Sequence, residues 1–280
     1  MKVLVTGSSG HLGSATVRHL KEFGFDVYGI DIISSGTTDK IVDIKKKESI
    51  EEITRGFDAI IHTAAVHGKH YELNYPREAF IDTNIYGTLH LLNVCVKNGI
   101  SKFLHCSTTS IYGSSLIDKE KAVWVEEKLV EQPRDIYDIT KQTTEQLCRD
   151  FFYKEGLQVS VYRVGRFLPE SDNLKINHRL YRGLDERDGA EAFRLALGIT
   201  FNNFEIFNIS SGSPFRKEDV HRLKENPKGV ILKYFPEAES IYQEKGWKFP
   251  ESIDRVYVCN KAVQLLGYQP QYTFEYLLRH

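Results

Sequence analysis

The stretch Lys2-Val3-Leu4-Val5-Thr6-Gly7-Ser8-Ser9-Gly10-His11-Leu12-Gly13 decides the fold. A short apolar run passes straight into spaced glycines, and a helical period begins at Leu12. Such a run is too short for the apolar core of a secretory signal, so it reads as a first strand. Gly7 permits a tight turn, Gly10 a close backbone approach and Gly13 close contact between helix and sheet. Working outward, strand-like segments Asp26–Ile30, Ala59–His62, Lys102–Ser107 and Gln158–Arg163 follow Lys2–Thr6. They alternate with helical periods over Leu12–Phe23, Ser49–Arg55, Arg77–Asn98 and Ile136–Lys154, and Ile41–Asp43 adds a short strand. The strands lack apolar–polar alternation, which predicts a parallel sheet buried on both faces. The repeat therefore predicts an α/β, doubly wound sheet with right-handed crossovers.

Beyond Arg163 the rhythm changes. Pro169–Asn173 reads as a loop, Arg187–Leu197 as a helix and Phe204–Asn208 as a strand. A further helix lies within Ile253–Leu266, stopped by Gly267 and Pro270. Residues 1–165 are expected to form a nucleotide-binding domain to which 186–210 return. Residues 166–185 and 211–280 form a small substrate-side cap. The charged stretch 114–134 reads as a solvated loop.

Bulk composition narrows the function. Lys and Arg number 37 against 38 Asp and Glu, so the net charge of -1 offers no attraction to nucleic acid or an acidic membrane. Cys95, Cys106, Cys148 and Cys259 form no CxxC pair and read as reduced structural thiols. No apolar stretch is long enough to span a bilayer, and a cytoplasmic, water-soluble protein is expected.

The glycine loop opening a helix offers backbone amides to a pyrophosphate, with Ser9, Gly10, His11, Leu12 and Gly13 around it. Asp31 ends the second strand, where its carboxylate can accept hydrogen bonds from the adenosine ribose hydroxyls. A 2′-phosphate would be repelled there, and no arginine immediately follows, which favours NAD over NADP. Taken alone, Asp31 would be an ordinary strand-end acid facing solvent.

These motifs, with Asp43-Ile44, His62-Thr63-Ala64-Ala65, Asn84-Ile85-Tyr86-Gly87-Thr88, Ser107-Thr108-Thr109, Tyr137-x-x-x-Lys141 and Phe207-Asn208-Ile209, carry a resemblance. The chain resembles the extended short-chain dehydrogenase/reductase family, also called the NAD-dependent epimerase/dehydratase family, along nearly its whole length. The resemblance implies an NAD-binding Rossmann-like fold, with Ile32, Asp43 and Ile44 about the adenine and Thr63, Ala64 and Ala65 lining the cleft. It sets Asn84 near the cofactor and the lysine, and Ser107 and Val164 at the cofactor.

Tyr137 and Lys141 also have a physical argument of their own: spaced by one helical turn, they share a face. An ammonium beside a phenol stabilises the phenolate, and Tyr137 can then exchange a proton with a substrate hydroxyl. Thr108 is the expected third group, holding the reacting oxygen, with Ser107 and Thr109 as rivals.

Two departures from the family pattern bear on the reaction. Thr109-Ser110 follows Thr108 where many dehydratases of the family carry two acids, which disfavours loss of water. The segment after Arg163 is short, and Arg163-Val164-Gly165-Arg166 through Pro169-Glu170 to Asn173 resembles uronate dehydrogenases. Arg166 stands where those carry serine; it either forks a carboxylate or phosphate or faces solvent. His67, with His70 nearby, sits in the loop expected on the substrate side, and Asn173 and Thr109 are further substrate contacts. No ligand spacing for a metal accompanies the histidines.

The expectation is an NAD-dependent oxidoreductase acting at a secondary alcohol or ketone of a sugar or sugar acid. A nucleotide-sugar epimerase with tightly held NAD and a non-catalytic NAD-binding protein are the alternatives. A homodimer is expected from related proteins that pair through helices such as Arg77–Asn98 and Ile136–Lys154.

Overall fold

Strand β1 (Lys2–Thr6) lies between β2 (Asp26–Asp31) and β4 (Ala59–His62), and every strand of its sheet runs parallel. With β3 (Lys40–Ile41), β5 (Lys102–Thr108), β7 (Gln158–Val164) and β8 (Glu205–Ile209), the order is β3-β2-β1-β4-β5-β7-β8. The computed structural model describes residues 1–67, 70 and 73–280. Here is the doubly wound sheet that the pattern predicts. Successive side chains of β1 alternate between faces: Val3 and Val5 enter one core cluster, Leu4 the other. Both faces are apolar, which is why no polar alternation marks the strands.

The first face is covered by α1 (His11–Glu22) and by α7 (Glu186–Leu197), whose Phe193 and Ala196 pack on Tyr162 and Phe207 of the sheet. The opposite face carries α2 (Lys47–Ile53), α4 (Gly87–Asn98) and α5 (Ile136–Glu155), which contribute Ile50, Leu91 and Cys148. Where the periodicity suggests one helix over 77–98, α3 (Arg77–Phe80) and α4 are separated by a π-helical segment, Ile81–Tyr86. Strands β5 and β7 each extend one residue beyond the predicted ends, because Thr108 and Val164 pair with one another.

The cap holds α6 (Asp172–Arg179), α8 (Val220–Glu225), α9 (Pro227–Tyr234), α10 (Ala238–Glu244) and α12 (Phe274–Arg279). Their core includes Ile176, Leu223, Ile231, Tyr242 and Phe274. Two expectations need correction. The stretch 114–134 is not a solvated loop: Leu116, Ala122 and Val125 are buried, and β6 (Val123–Val125) pairs in parallel with β9 (Arg255–Tyr257). Its charged residues alternate with these apolar anchors and hide them. Nor does all of 211–280 belong to the cap. Cys259, Tyr268 and the buried face of α11 (Asn260–Leu266) pack into the sheet core, since Ala262 and Leu266 are one turn apart. All four cysteines are free and buried. Among the described residues, no helix is long and apolar enough to cross a membrane.

Candidate active site

The glycine turn is a cradle that side chains would fill. Gly7 has φ +73°, and a Cβ there would lie 2.6 Å from the Ala64 nitrogen. At Gly13 a Cβ would lie 2.0 Å from the Gly7 carbonyl oxygen. No side chain caps α1 and its first turn holds no acid, so its leading amides are open to a phosphate. Asp31 closes the turn from the next strand. One carboxylate oxygen accepts from the Ser9 backbone N–H at 3.0 Å and the Ser9 hydroxyl at 2.8 Å. The other accepts from the Ile33 N–H at 3.1 Å.

Along the adjoining cleft, the Thr63 hydroxyl donates to the Thr6 carbonyl at 2.7 Å, and the Ala64 N–H donates to the Thr6 hydroxyl at 3.3 Å. Asn84, buried in the π-helical segment, ties this loop to α5. Its side-chain carbonyl accepts from Val66 N–H at 2.8 Å, and its amide donates to the Val66 carbonyl and the Thr140 hydroxyl, each at 2.9 Å. The wide π turn thus sets Asn84 between the Val66 loop and α5.

Of the residues expected about an adenine, Ile32 is exposed and Asp43 half-buried. Ile44 departs from expectation: its side chain is core, packed against Gly87, where a Cβ would approach it to 2.6 Å. Leu12 and Val164 are likewise buried in the sheet core, so their side chains serve packing.

Tyr137 and Lys141 project from α5 toward the carboxyl end of β5. Asp135 caps this helix, its side chain accepting from Asp138 N–H at 2.9 Å. Lys141 is buried and its Nζ donates to the Cys106 carbonyl at 2.5 Å. Burial lowers the lysine's affinity for its proton. Burial also pushes the Tyr137 phenol up; the Thr108 side chain, meeting the phenol, pulls the other way. Thr108 itself remains partly accessible and accepts from Ser110 N–H at 3.1 Å.

The rival hydroxyls point elsewhere. Ser107 is buried and donates to Glu145 at 2.5 Å, while buried Thr109 donates to the Val164 carbonyl at 3.2 Å. Both hydroxyls are thus engaged within the protein, whereas Thr108 is partly accessible. Asn173 is a strap in the cap: its side-chain amide donates to the Lys248 carbonyl at 2.9 Å, and its oxygen accepts from Lys248 N–H at 3.0 Å. With both ends engaged it is not free to read a substrate. Arg166 follows β7, and its Nε donates to Glu170, whose other oxygen lies 2.7 Å from His178 Nδ1. His67 and His70 meet edge to face, with ring centroids 4.2 Å apart and the ring planes at 65°, on the loop after Ala65.

One assembly is missed by sequence reasoning. Arg163 of β7 has no exposed surface and reaches Glu145 through Nη2 at 2.6 Å, Glu131 through the same nitrogen and the Tyr112 hydroxyl through Nη1 at 3.1 Å. Tyr112 donates onward to Asn208 at 2.8 Å. The available signal was an arginine inside an apolar strand and Glu145 one turn after Lys141. A charge in that setting must be paired.

Residues 3–182 match the NAD dependent epimerase/dehydratase family. The chain belongs to that family. Within this NAD dependent epimerase/dehydratase family, a UDP-glucose 4-epimerase of Oryza sativa subsp. japonica is 30% identical over 174 residues. The match covers 55% of this chain but only 46% of the rice protein. Other curated plant epimerases are likewise matched over about half their length, 47% for one from Pisum sativum. A dTDP-glucose 4,6-dehydratase of Streptomyces antibioticus is 25% identical across 98% of this chain and 89% of its own. Among solved structures, a UDP-N-acetylglucosamine 4-epimerase from Bacillus cereus superposes with TM-score 0.72 at 24% identity, covering 99% of this chain and 96% of that one. A short-chain dehydrogenase/reductase superfamily protein from Agrobacterium tumefaciens with bound NAD gives 0.74 at 18% identity, covering 100% and 95%. At these identities the likeness shows the fold.

Proposed function

We propose that this chain binds NAD and is a sugar oxidoreductase, acting reversibly at a secondary alcohol or ketone of a sugar or sugar acid. The observation that carries the reading is the placement of Tyr137 and buried Lys141 one turn apart on α5, with the ammonium held on the Cys106 carbonyl two residues before the partly accessible Thr108. The cradle and the Ser9–Asp31 pair fit a dinucleotide: no Cβ obstructs the turn, and a carboxylate waits at the end of β2. NAD, when bound, supplies the hydride acceptor. Thr108 holds the reacting oxygen, Tyr137 takes its proton, and Lys141 favours the phenolate so formed. In the reverse direction Tyr137 returns the proton.

Release of the oxidised sugar together with NADH would make the chain a dehydrogenase; return of the hydride to the opposite face of the same sugar would make it an epimerase. The short segment between β7 and α7 favours the dehydrogenase on a free sugar, because little surface is left for a nucleotide. Arg166, anchored through Nε, is the group proposed to meet an acidic substrate. Excess NAD with a panel of uronates, aldoses and nucleotide-sugars tests this. Absorbance of NADH and chromatography of sugar isomers are followed together. Stoichiometric NADH from a free sugar is expected, and Tyr137→Phe should lower kcat by about 10²-fold or more. Isomer formation without net NADH would favour the epimerase instead.

A further inference from the structure

Two histidines lie inside the sheet, and the reaction above uses neither. His62 ends β4 and His105 is its register partner on β5; both are buried, with ring centroids 5.4 Å apart. Each meets a buried threonine whose one hydroxyl hydrogen is already committed. Thr88 Oγ1 donates to the Asn84 carbonyl at 2.5 Å, so it can only accept from His62 Nε2, at 2.9 Å. Thr144 Oγ1 donates to the Lys141 carbonyl at 2.8 Å, so it can only accept from His105 Nε2, at 2.9 Å. Both rings are therefore fixed with a proton on Nε2. His62 Nδ1 accepts from the Thr6 hydroxyl at 2.7 Å, and Thr6 accepts in turn from Ala64 N–H at 3.3 Å. His105 Nδ1 has no hydrogen-bond partner among the described residues, which suits a bare lone pair better than a buried N–H. Burial pushes the pKa of His62 down to about 3 and that of His105 well down, so both rings stay neutral.

Followed outward, these bonds end on the turn of α5 that carries Tyr137 and Lys141. From His62 the line passes through Thr88 to Asn84, whose side-chain amide donates to Thr140 Oγ1 at 2.9 Å. Thr140 donates to the Tyr137 carbonyl at 2.9 Å. From His105 a second line passes through Thr144 to the Lys141 carbonyl. Lys141 Nζ meanwhile reaches back to the carbonyl of Cys106, the next residue of β5. Lys141 is thus tied to neighbouring residues of one strand at both its main chain and its tip. We propose that His62 and His105 are positioning residues, two neutral struts that set the depth of Tyr137 and Lys141 against the cleft. The inference rests on the acid–base roles given to those two residues above. The lines carry position rather than protons, because Asn84 joins its main-chain carbonyl to its side-chain amide and so interrupts any relay between hydroxyls.

Valine keeps the branched shape of threonine without its hydroxyl, and serine keeps the hydroxyl without the methyl. Thr88→Val and Thr144→Val each interrupt one strut at a fully buried residue. In each, kcat for sugar oxidation should fall about tenfold with KM for NAD within about twofold, and Thr88→Ser and Thr144→Ser should recover most of the loss. A packing role alone would lower Tm and leave kcat at the wild-type value. That result, or serine variants as slow as the valine ones, would overturn the proposal. Two readouts need no turnover. Ring-nitrogen spectra of protein labelled with ¹⁵N-histidine, assigned with His62→Gln and His105→Gln, should show only Nε2–H in both rings from about pH 5 to 8. Thr88→Val should admit the Nδ1–H form at His62. Backbone amide resonances of residues 137–141 should move in the valine variants and return in the serine ones. An Nδ1–H or doubly protonated ring in the wild type, or unmoved amides, would overturn the struts. Thr6→Val and His105→Phe interrupt the same lines elsewhere and serve if a valine variant does not fold. Failure to turn over any sugar would overturn the reaction reading, and the spectra would still decide the struts.

Discussion

At Gly13 one added methyl group meets the Gly7 carbonyl at 2.0 Å and the Thr63 hydroxyl at 2.8 Å, both parts of the cradle. Neither is the loose end of a flexible side chain, so the turn itself must move. Gly13→Ala should therefore weaken NAD binding by about tenfold or more, equivalent to ~1.4 kcal/mol. Gly36→Ala is the control, because nothing lies within 4 Å of a Cβ there. Fluorescence titration with NAD reads both; equal affinities would remove the steric argument. Gly7 and Gly13 were legible in the sequence because their steric requirement is written in residue type. Thr109 and Asn173 were not, because a hydroxyl or amide is the same residue whether it faces substrate or backbone. Their partners, Val164 and Lys248, are distant in the chain and are chosen only by the fold.

Among the elements, α7 shows how a helix end is tied across the molecule. Asp188 in its first turn accepts from Gln271 N–H at 2.8 Å and Tyr272 N–H at 3.1 Å. Burial dominates these bonds and pushes its carboxyl up to about 6. A carboxyl raised on folding stabilises the folded state fully below its unfolded value and loses that contribution as pH rises through about 6. The loss is at most about 3 kcal/mol. Relative to wild type, Asp188→Asn should gain Tm as pH climbs from about 4 to 7; parallel curves would show that the carboxyl does not titrate in this range. Periodicity located the helices well because each buries one apolar stripe. The π-helical segment escaped it, since its cause is Asn84 reaching Val66 and Thr140 rather than any break in the stripe.

Over the whole molecule, the Arg163 network joins the sheet to α5 and to the segment before it. Arg163→Met leaves Glu145 buried without its cation and should cost about 3–5 kcal/mol in urea unfolding. Pairing it with Glu145→Gln should recover part of that loss, since no unpaired charge then remains; equal costs for the single and double variants would show the pair is not coupled. The sheet was legible at this scale from strand order and spacing. The partition into domain and cap was less so, because α11 returns to the sheet core from a stretch flanked by cap residues. Strand β6 carries a further consequence, for synthesis. Among the described residues its sole ladder partner is β9, and residues 123–125 emerge from the ribosome long before residues 255–257. Strands β1, β2, β4 and β5 find one another as the chain lengthens, whereas β6 must wait, its Val125 uncovered. The charged neighbours Asp118–Lys121 and Glu126–Lys128 then act as escorts, keeping a short apolar strand from pairing with other nascent chains until its partner arrives.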